Sequence, residues 1–127
     1  MSVTHDIKLE QVTELRMGPP LFELRVDGTK FKNRTFFASY ISDLDNTKIA
    51  ITECTSTSHD SHLISILWLM DLELKKAYQI SFIEDGTIRP VKFETTKLIY
   101  EKQQFGIVGR EYERDLSDLA LMKSFDF

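Results

Sequence analysis

The chain has 127 residues, about one average domain, with 16 Lys and Arg against 20 Asp and Glu and a formal net charge of −4. That balance argues against a nucleic-acid binder, whose footprint on phosphate needs clustered positive charge. Hydrophobic residues at 42% and charged residues at 28% are ordinary globular values, which excludes the disordered and fibrous classes.

The single cysteine, Cys54, rules out a disulfide within the chain and fits a reducing compartment. No basic stretch followed by an apolar run opens the sequence, so no signal peptide is expected. The longest apolar stretch, residues 63–74, is interrupted by Ser65, Asp71 and Glu73 and is too short to span a bilayer. The expected location is cytoplasmic. Val, Ile and Thr together number 27 against 4 Ala, a bias toward residues that pack on pleated surfaces. The expected class is therefore mainly β: one domain over residues 1–127, an antiparallel sandwich or partly closed barrel of 8–10 strands with a short C-terminal helix.

In chain order, residues 7–17 read as an edge strand with a bulge near Gln11 and Val12. Phe22, Leu24 and Val26 alternate with Glu23, Arg25 and Asp27, and Asp27-Gly28 predicts a hairpin into a strand from Phe31. Residues 35–41 form a further strand, with Phe36 and Phe37 on opposite sides. Residues 42–47 form a turn, and Ile49 and Ile51 mark the return strand. The polar stretch 55–61 reads as a surface loop.

The centre admits two readings. Leu63, Ile66, Leu67, Met70, Leu74 and Ala77 fit helical spacing, giving an alternative α+β fold with a helix at 61–77. As a strand, Ile64, Ile66, Trp68 and Met70 lie on one face and Leu63, Leu67 and Leu69 on the other. The strand is preferred. Ile64 and Ile66 favour it, and Trp68-Leu69-Met70-Asp71-Leu72-Glu73 echoes Tyr40-Ile41-Ser42-Asp43-Leu44-Asp45, as a repeated hairpin would. Against it, residues 71–77 contain no Gly, Asn or Pro to turn the chain. Further on, residues 78–82 and 88–94 flank a turn at 84–87, and Pro90 calls for an edge strand or a bulge. Residues 97–103 pair with 106–112, and Asp115 or Ser117 caps a short helix packing Leu116, Leu119 and Leu121 or Met122. Phe125-Asp126-Phe127 carries no structural signature.

Chemistry is sparse. His59-Asp60-Ser61-His62, with Cys54 or Glu53, has metal-ligand residue types but lies in a loop where such residues are expected anyway, so no metal is assigned. A thiolate–imidazole pair of Cys54 with His59 or His62 lacks any nucleophile elbow. Gly106 and Gly109 satisfy neither phosphate-loop fingerprint, and no cofactor is expected. The carboxylate pairs Asp43/Asp45 and Asp71/Glu73 could serve acid–base chemistry only at a defined separation, and turn capping explains Asp43 and Asp45 more simply. Lys30, Lys32 and Arg34 share one strand parity and could equally be a solvated face.

Aromatic residues are the more informative group. Phe31, Phe36, Phe37, Tyr40, Trp68, Tyr78 and Tyr112 offer more ring area than one small core wall uses. Tyr112, between Arg110 and Arg114, has the pattern of an exposed ring, and Trp68 is either core keystone or binding anchor. The leading expectation is a non-enzymatic protein-interaction module, an acidic inhibitor or immunity-type protein masking a basic partner. Asp43, Asp45, Asp71 and Glu73 would steer that partner, and Trp68 and Tyr112 would supply contact area. The alternatives are a small-molecule-binding β-barrel with isomerase or cyclase chemistry, lined by Tyr40, Tyr78 and His62, and an oligomeric subunit of a larger, for example viral, assembly.

Overall fold

The computed structural model describes residues 5–14, 20–55, 64–104 and 106–127. They form β1 (Ile7–Glu14), β2 (Pro20–Val26), β3 (Thr29–Lys30), β4 (Thr35–Ser42), β5 (Lys48–Cys54), β6 (Ile64–Asp71), β7 (Lys76–Glu84), β8 (Gly86–Phe93), β9 (Lys97–Gln104), β10 (Arg110–Asp115) and β11 (Ser124–Asp126). A 3-10 helix, Leu116–Leu121, precedes β11. The protein is mainly β. A large antiparallel sheet in the order β1-β2-β4-β5-β6-β7-β11, with β3 joined to β2, curls into a half-barrel, and β10-β9-β8 form a second sheet.

Local chemistry sets the corners. The β1–β2 ladder shifts register between Gln11 and Thr13, a bulge where the parity of the sequence breaks. Asp27 at φ 49° and Gly28 at φ 85° make the left-handed pair that a two-residue hairpin requires. The β3 that follows is only two residues long, and Phe31 lies outside it in the core. Of the expected helix alternative at 61–77, the described residues 64–77 are not helical: β6 runs from Ile64 to Asp71 and β7 starts at Lys76. Lys75, at φ 56°, takes the left-handed position that the missing Gly or Asn would have filled. Pro90 sits in an edge strand beside a register shift between Pro90 and Lys92, so both of its tolerated settings apply.

The expected terminal helix is reduced to a 3-10 turn. Asp115 accepts from the Ser117 N–H at 2.9 Å, and Leu116, Leu119 and Met122 pack inward while Leu121 stays 86% exposed.

Burial divides by strand parity. Ile49, Ile51, Trp68 and Met70 join Leu24, Val26, Phe31 and Phe36 on the inner face of the curled sheet. Ala50, Leu67, Leu69 and Ile80 line the opposite face and pack on Ile88, Leu98 and Tyr100 of the second sheet. Two buried hydroxyls join the layers: Thr52 donates to the Ile88 carbonyl at 2.8 Å and Ser65 to the Gly86 carbonyl at 3.2 Å. Gly86 must be glycine, because a Cβ there would lie 2.5 Å from the Gln103 carbonyl oxygen.

The half-barrel closes through side chains. Phe31, just after β3, meets Phe36, Phe125 and Phe127 at ring separations of 6.0, 6.1 and 4.8 Å. Phe125 in turn stands edge-on to Trp68 at 4.9 Å. Beside them Asp27 accepts from Lys75, from His5 and from the Asp6 N–H, and the Phe127 N–H donates to the Lys75 carbonyl. The Lys75 ammonium above all, then the Asp6 and His5 donors, hold the Asp27 carboxyl well below the usual carboxylate range.

Replacing Phe125 and Phe127 together by Ala should cost about 2–4 kcal/mol in urea unfolding, with Trp68 emission shifting to the red in the native baseline. Asp27→Asn should cost about 0.5–1 kcal/mol near pH 7, a modest figure because solvent screens this exposed pair. A depressed folded-state carboxylate stabilises above its ordinary pKa and loses that contribution in acid. The gap between wild type and Asp27→Asn should therefore narrow as the pH falls below about 4, measured by denaturation at a series of pH values.

Candidate functional site

The β4–β5 and β6–β7 turns lie side by side. Lys48 pairs with Asp71 across β5 and β6, and the Leu72 N–H donates to the Thr47 carbonyl at 2.8 Å. Each turn is fastened by its first carboxylate. Asp43 accepts from the N–H groups of Thr47 and Lys48 at 2.9 and 3.2 Å and from the Thr47 hydroxyl at 3.1 Å. Asp71 accepts from the N–H groups of Glu73 and Leu74 at 3.1 and 3.0 Å. Capping thus falls to Asp43 and Asp71, whereas Asp45 and Glu73 are exposed on the tips.

Two leucines stand out beside them. Leu44 is 97% exposed and Leu74 is 69% exposed, whereas Leu72, which matches Leu44 in the sequence echo, is 1% exposed and belongs to the core. The echo therefore marks two hairpin turns with different apolar projections. The tip carries Asp45, Glu73, Leu44 and Leu74 outward, with Lys48 half-buried between the turns.

Trp68 is not on that surface. It is 6% exposed, and its indole N–H donates to Glu53 at 2.7 Å. Glu53, on the inner-face parity of Ile49 and Ile51, also pairs with Arg34 at 2.8 Å. The Arg34 guanidinium lies 4.2 Å from the Phe125 ring centroid and 5.3 Å from that of Trp68. Trp68 is a core residue. The same geometry breaks up the basic stripe of the sequence: Arg34 turns inward, Lys30 pairs with Glu23, and only Lys32 remains as a solvated base.

Tyr112 is 42% exposed and stacks on Tyr100, with ring centroids 5.8 Å apart and planes 17° apart. Lys102 sits 5.4 Å from the Tyr112 centroid. Burial, and then the neighbouring Arg114 charge, push the Lys102 ammonium pKa below its ordinary value. Tyr112 and Lys102 line a groove between the second sheet and β7, a site that no local motif announced.

The fold separates Tyr40 from Tyr78. Tyr40 packs on the inner-face cluster and Tyr78 on the outer one, so the two do not line one cavity. His59, Asp60, Ser61 and His62 lie outside the described residues, and Cys54 is buried at the end of β5. Among the described residues no three His, Cys, Asp or Glu side chains gather as metal ligands, and no helix is long and apolar enough to cross a membrane. Comparison with protein-family models, with curated proteins and with solved structures finds no match to this chain.

Glu53 is the polar keystone under Trp68. Glu53→Leu should cost about 2–3 kcal/mol in urea unfolding, below the range for a fully buried pair because Arg34 keeps some access to water. Glu53→Gln, which keeps an acceptor for the indole, should cost less.

Proposed function

We propose that this chain is a non-enzymatic protein-interaction module that masks a basic partner through the tip made by its two adjacent turns. The observation that carries the reading is the pairing of Leu44 and Leu74, both strongly exposed, with the exposed carboxylates Asp45 and Glu73. A partner surface that covered these two leucines would gain the free energy of their apolar burial. The two free-standing carboxylates would steer a cationic partner toward them and set the orientation of docking.

The scaffold suits such a role. Asp43 and Asp71 fasten the turns, and the Leu72–Thr47 hydrogen bond joins them, so little ordering entropy is lost on binding. An inhibitor or immunity-type protein acts in this manner, by occupying a surface and performing no chemistry. A single cysteine, buried in a strand, suits a reducing compartment such as the cytoplasm.

The test is affinity capture from extract of the producing cells, using wild type and two variants that leave both caps intact. Wild type should retain one stoichiometric partner with a basic contact surface. Asp45→Lys with Glu73→Lys should weaken capture by about a hundredfold, and Leu44→Ser with Leu74→Ser by about tenfold, at unchanged thermal stability. Equal retention by all three proteins, an acidic partner, or no partner at all would each defeat the reading.

A further inference from the structure

Sorting the charges reveals a second surface of opposite sign. β11 pairs with β7 only at residues 76–78. Just beyond, the Gln79 N–H donates to the Lys123 carbonyl and the Ile80 carbonyl accepts from Arg114 at 3.1 Å. Among the described residues no strand covers the outer edge of residues 81–84, although β6 pairs with their inner edge. An open strand edge is a row of unsatisfied donors and acceptors.

The groove along this edge is basic and apolar. Phe82, Lys102, Arg114 and Lys123 line one end. Lys102 also lines the continuation, with Ile107, Val108, Arg110 and Tyr112. Among the described residues none of Lys102, Arg110, Arg114 and Lys123 has a carboxylate partner, whereas Arg89 and Lys97 of the same small sheet pair with Glu101 and Glu113. A protein of net charge −4 thus keeps four cations along one groove with no ion-pair partner among the described residues. Phe82 is 51%, Ile107 57% and Val108 84% exposed, so apolar area accompanies the charge.

We propose that this groove binds an extended acidic peptide segment, which adds as a strand to β7 at residues 81–84 and places its carboxylates against Lys102, Arg114 and Lys123. Main-chain hydrogen bonds to β7 would supply affinity. Alternate side chains of the incoming strand would then divide between the cations and the exposed Phe82 ring. This surface is separate from the paired turns and does not depend on their role.

The probe is a capped eight-residue peptide alternating Glu with Val, titrated into the ¹⁵N-labelled protein. Binding should shift the amide resonances of residues 81–84 and slow their exchange with solvent. Lys102→Glu combined with Lys123→Glu should weaken it about tenfold or more, and raising the salt from about 50 to about 500 mM should weaken it as well. N-methylation of alternate peptide amides leaves every charge in place and should also cost about tenfold, because it blocks strand addition. That comparison uses the wild-type protein, so it decides the matter even if the charge variant fails to fold. Equal binding of the N-methylated peptide, equal binding of a Lys-for-Glu peptide, or no binding at about 1 mM would overturn the proposal. Tighter binding of a single-stranded oligonucleotide that displaces the peptide would overturn it too, by making the groove a phosphate site.

Discussion

A curled sheet that stops short of a closed barrel must hold its two rims together without a ladder of backbone hydrogen bonds. Here that closure rests on side chains. Phe31, after the β2–β3 hairpin beside edge strand β1, meets Phe125 and Phe127 at the β11 edge, and Asp27 of that hairpin accepts from Lys75 next to β7. The aromatic contacts exclude water from the inner face, and the Asp27 contacts fix where the rims meet. His5 illustrates the cost: its Nδ1 reaches Asp27 while its Nε2 is buried with no partner among the described residues. Because the inner face holds Trp68, Glu53 and Arg34, opening the rims would wet a part-buried ion pair along with apolar area.

The opposite face follows from the same central strands. β5 and β6 are buried on both sides, so Ile49, Ile51, Trp68 and Met70 serve the half-barrel and Ala50, Leu67 and Leu69 serve the layer contact. Thr52 and Ser65 fall on the second parity, where their hydroxyls satisfy carbonyls of the β8 edge that no strand pairs among the described residues. That seats β8 on the sheet and leaves β9 and β10 to project toward β7. The groove between them is therefore a consequence of packing. Its basic character comes from which residues of β9, β10 and the segment before β11 happen to face it.

Much of the fold was legible in the sequence, for a definite reason. Strand parity separates Ile66, Trp68 and Met70 from Leu67 and Leu69, and the structure divides them in the same way. The Asp27-Gly28 turn, the bulge in β1 and the setting of Pro90 are local chemistry and were equally readable. What was hidden depends on partners distant in sequence. Phe125 and Phe127 look unstructured until Phe31 and Trp68 are placed opposite them. Glu53 continues the parity of Ile49 and Ile51, a signal that it faces inward, yet only Arg34 and Trp68 make that position tolerable. Over the described residues 64–77 a hairpin replaces the helical alternative, with Lys75 in a left-handed backbone that composition assigns to Gly or Asn.

The two surfaces also show why a net charge of −4 is a poor guide to partners. Charge acts on an approaching molecule within about a Debye length, roughly 8–10 Å, so what matters is sorting over that distance. At the turns, four carboxylates divide by role: Asp43 and Asp71 hold backbone N–H groups, and Asp45 and Glu73 face solvent. Reversing all four would unfasten the hairpins along with the field, and a lost interaction would then be uninterpretable. Reversing only the outer two changes the field and spares the caps. In the groove the logic is inverted, because Arg114 already bonds the Ile80 carbonyl and is partly structural, which leaves Lys102 and Lys123 as the cations to exchange. Separating the charges that build each surface from those that merely occupy it is what makes the recognition role of either one open to experiment.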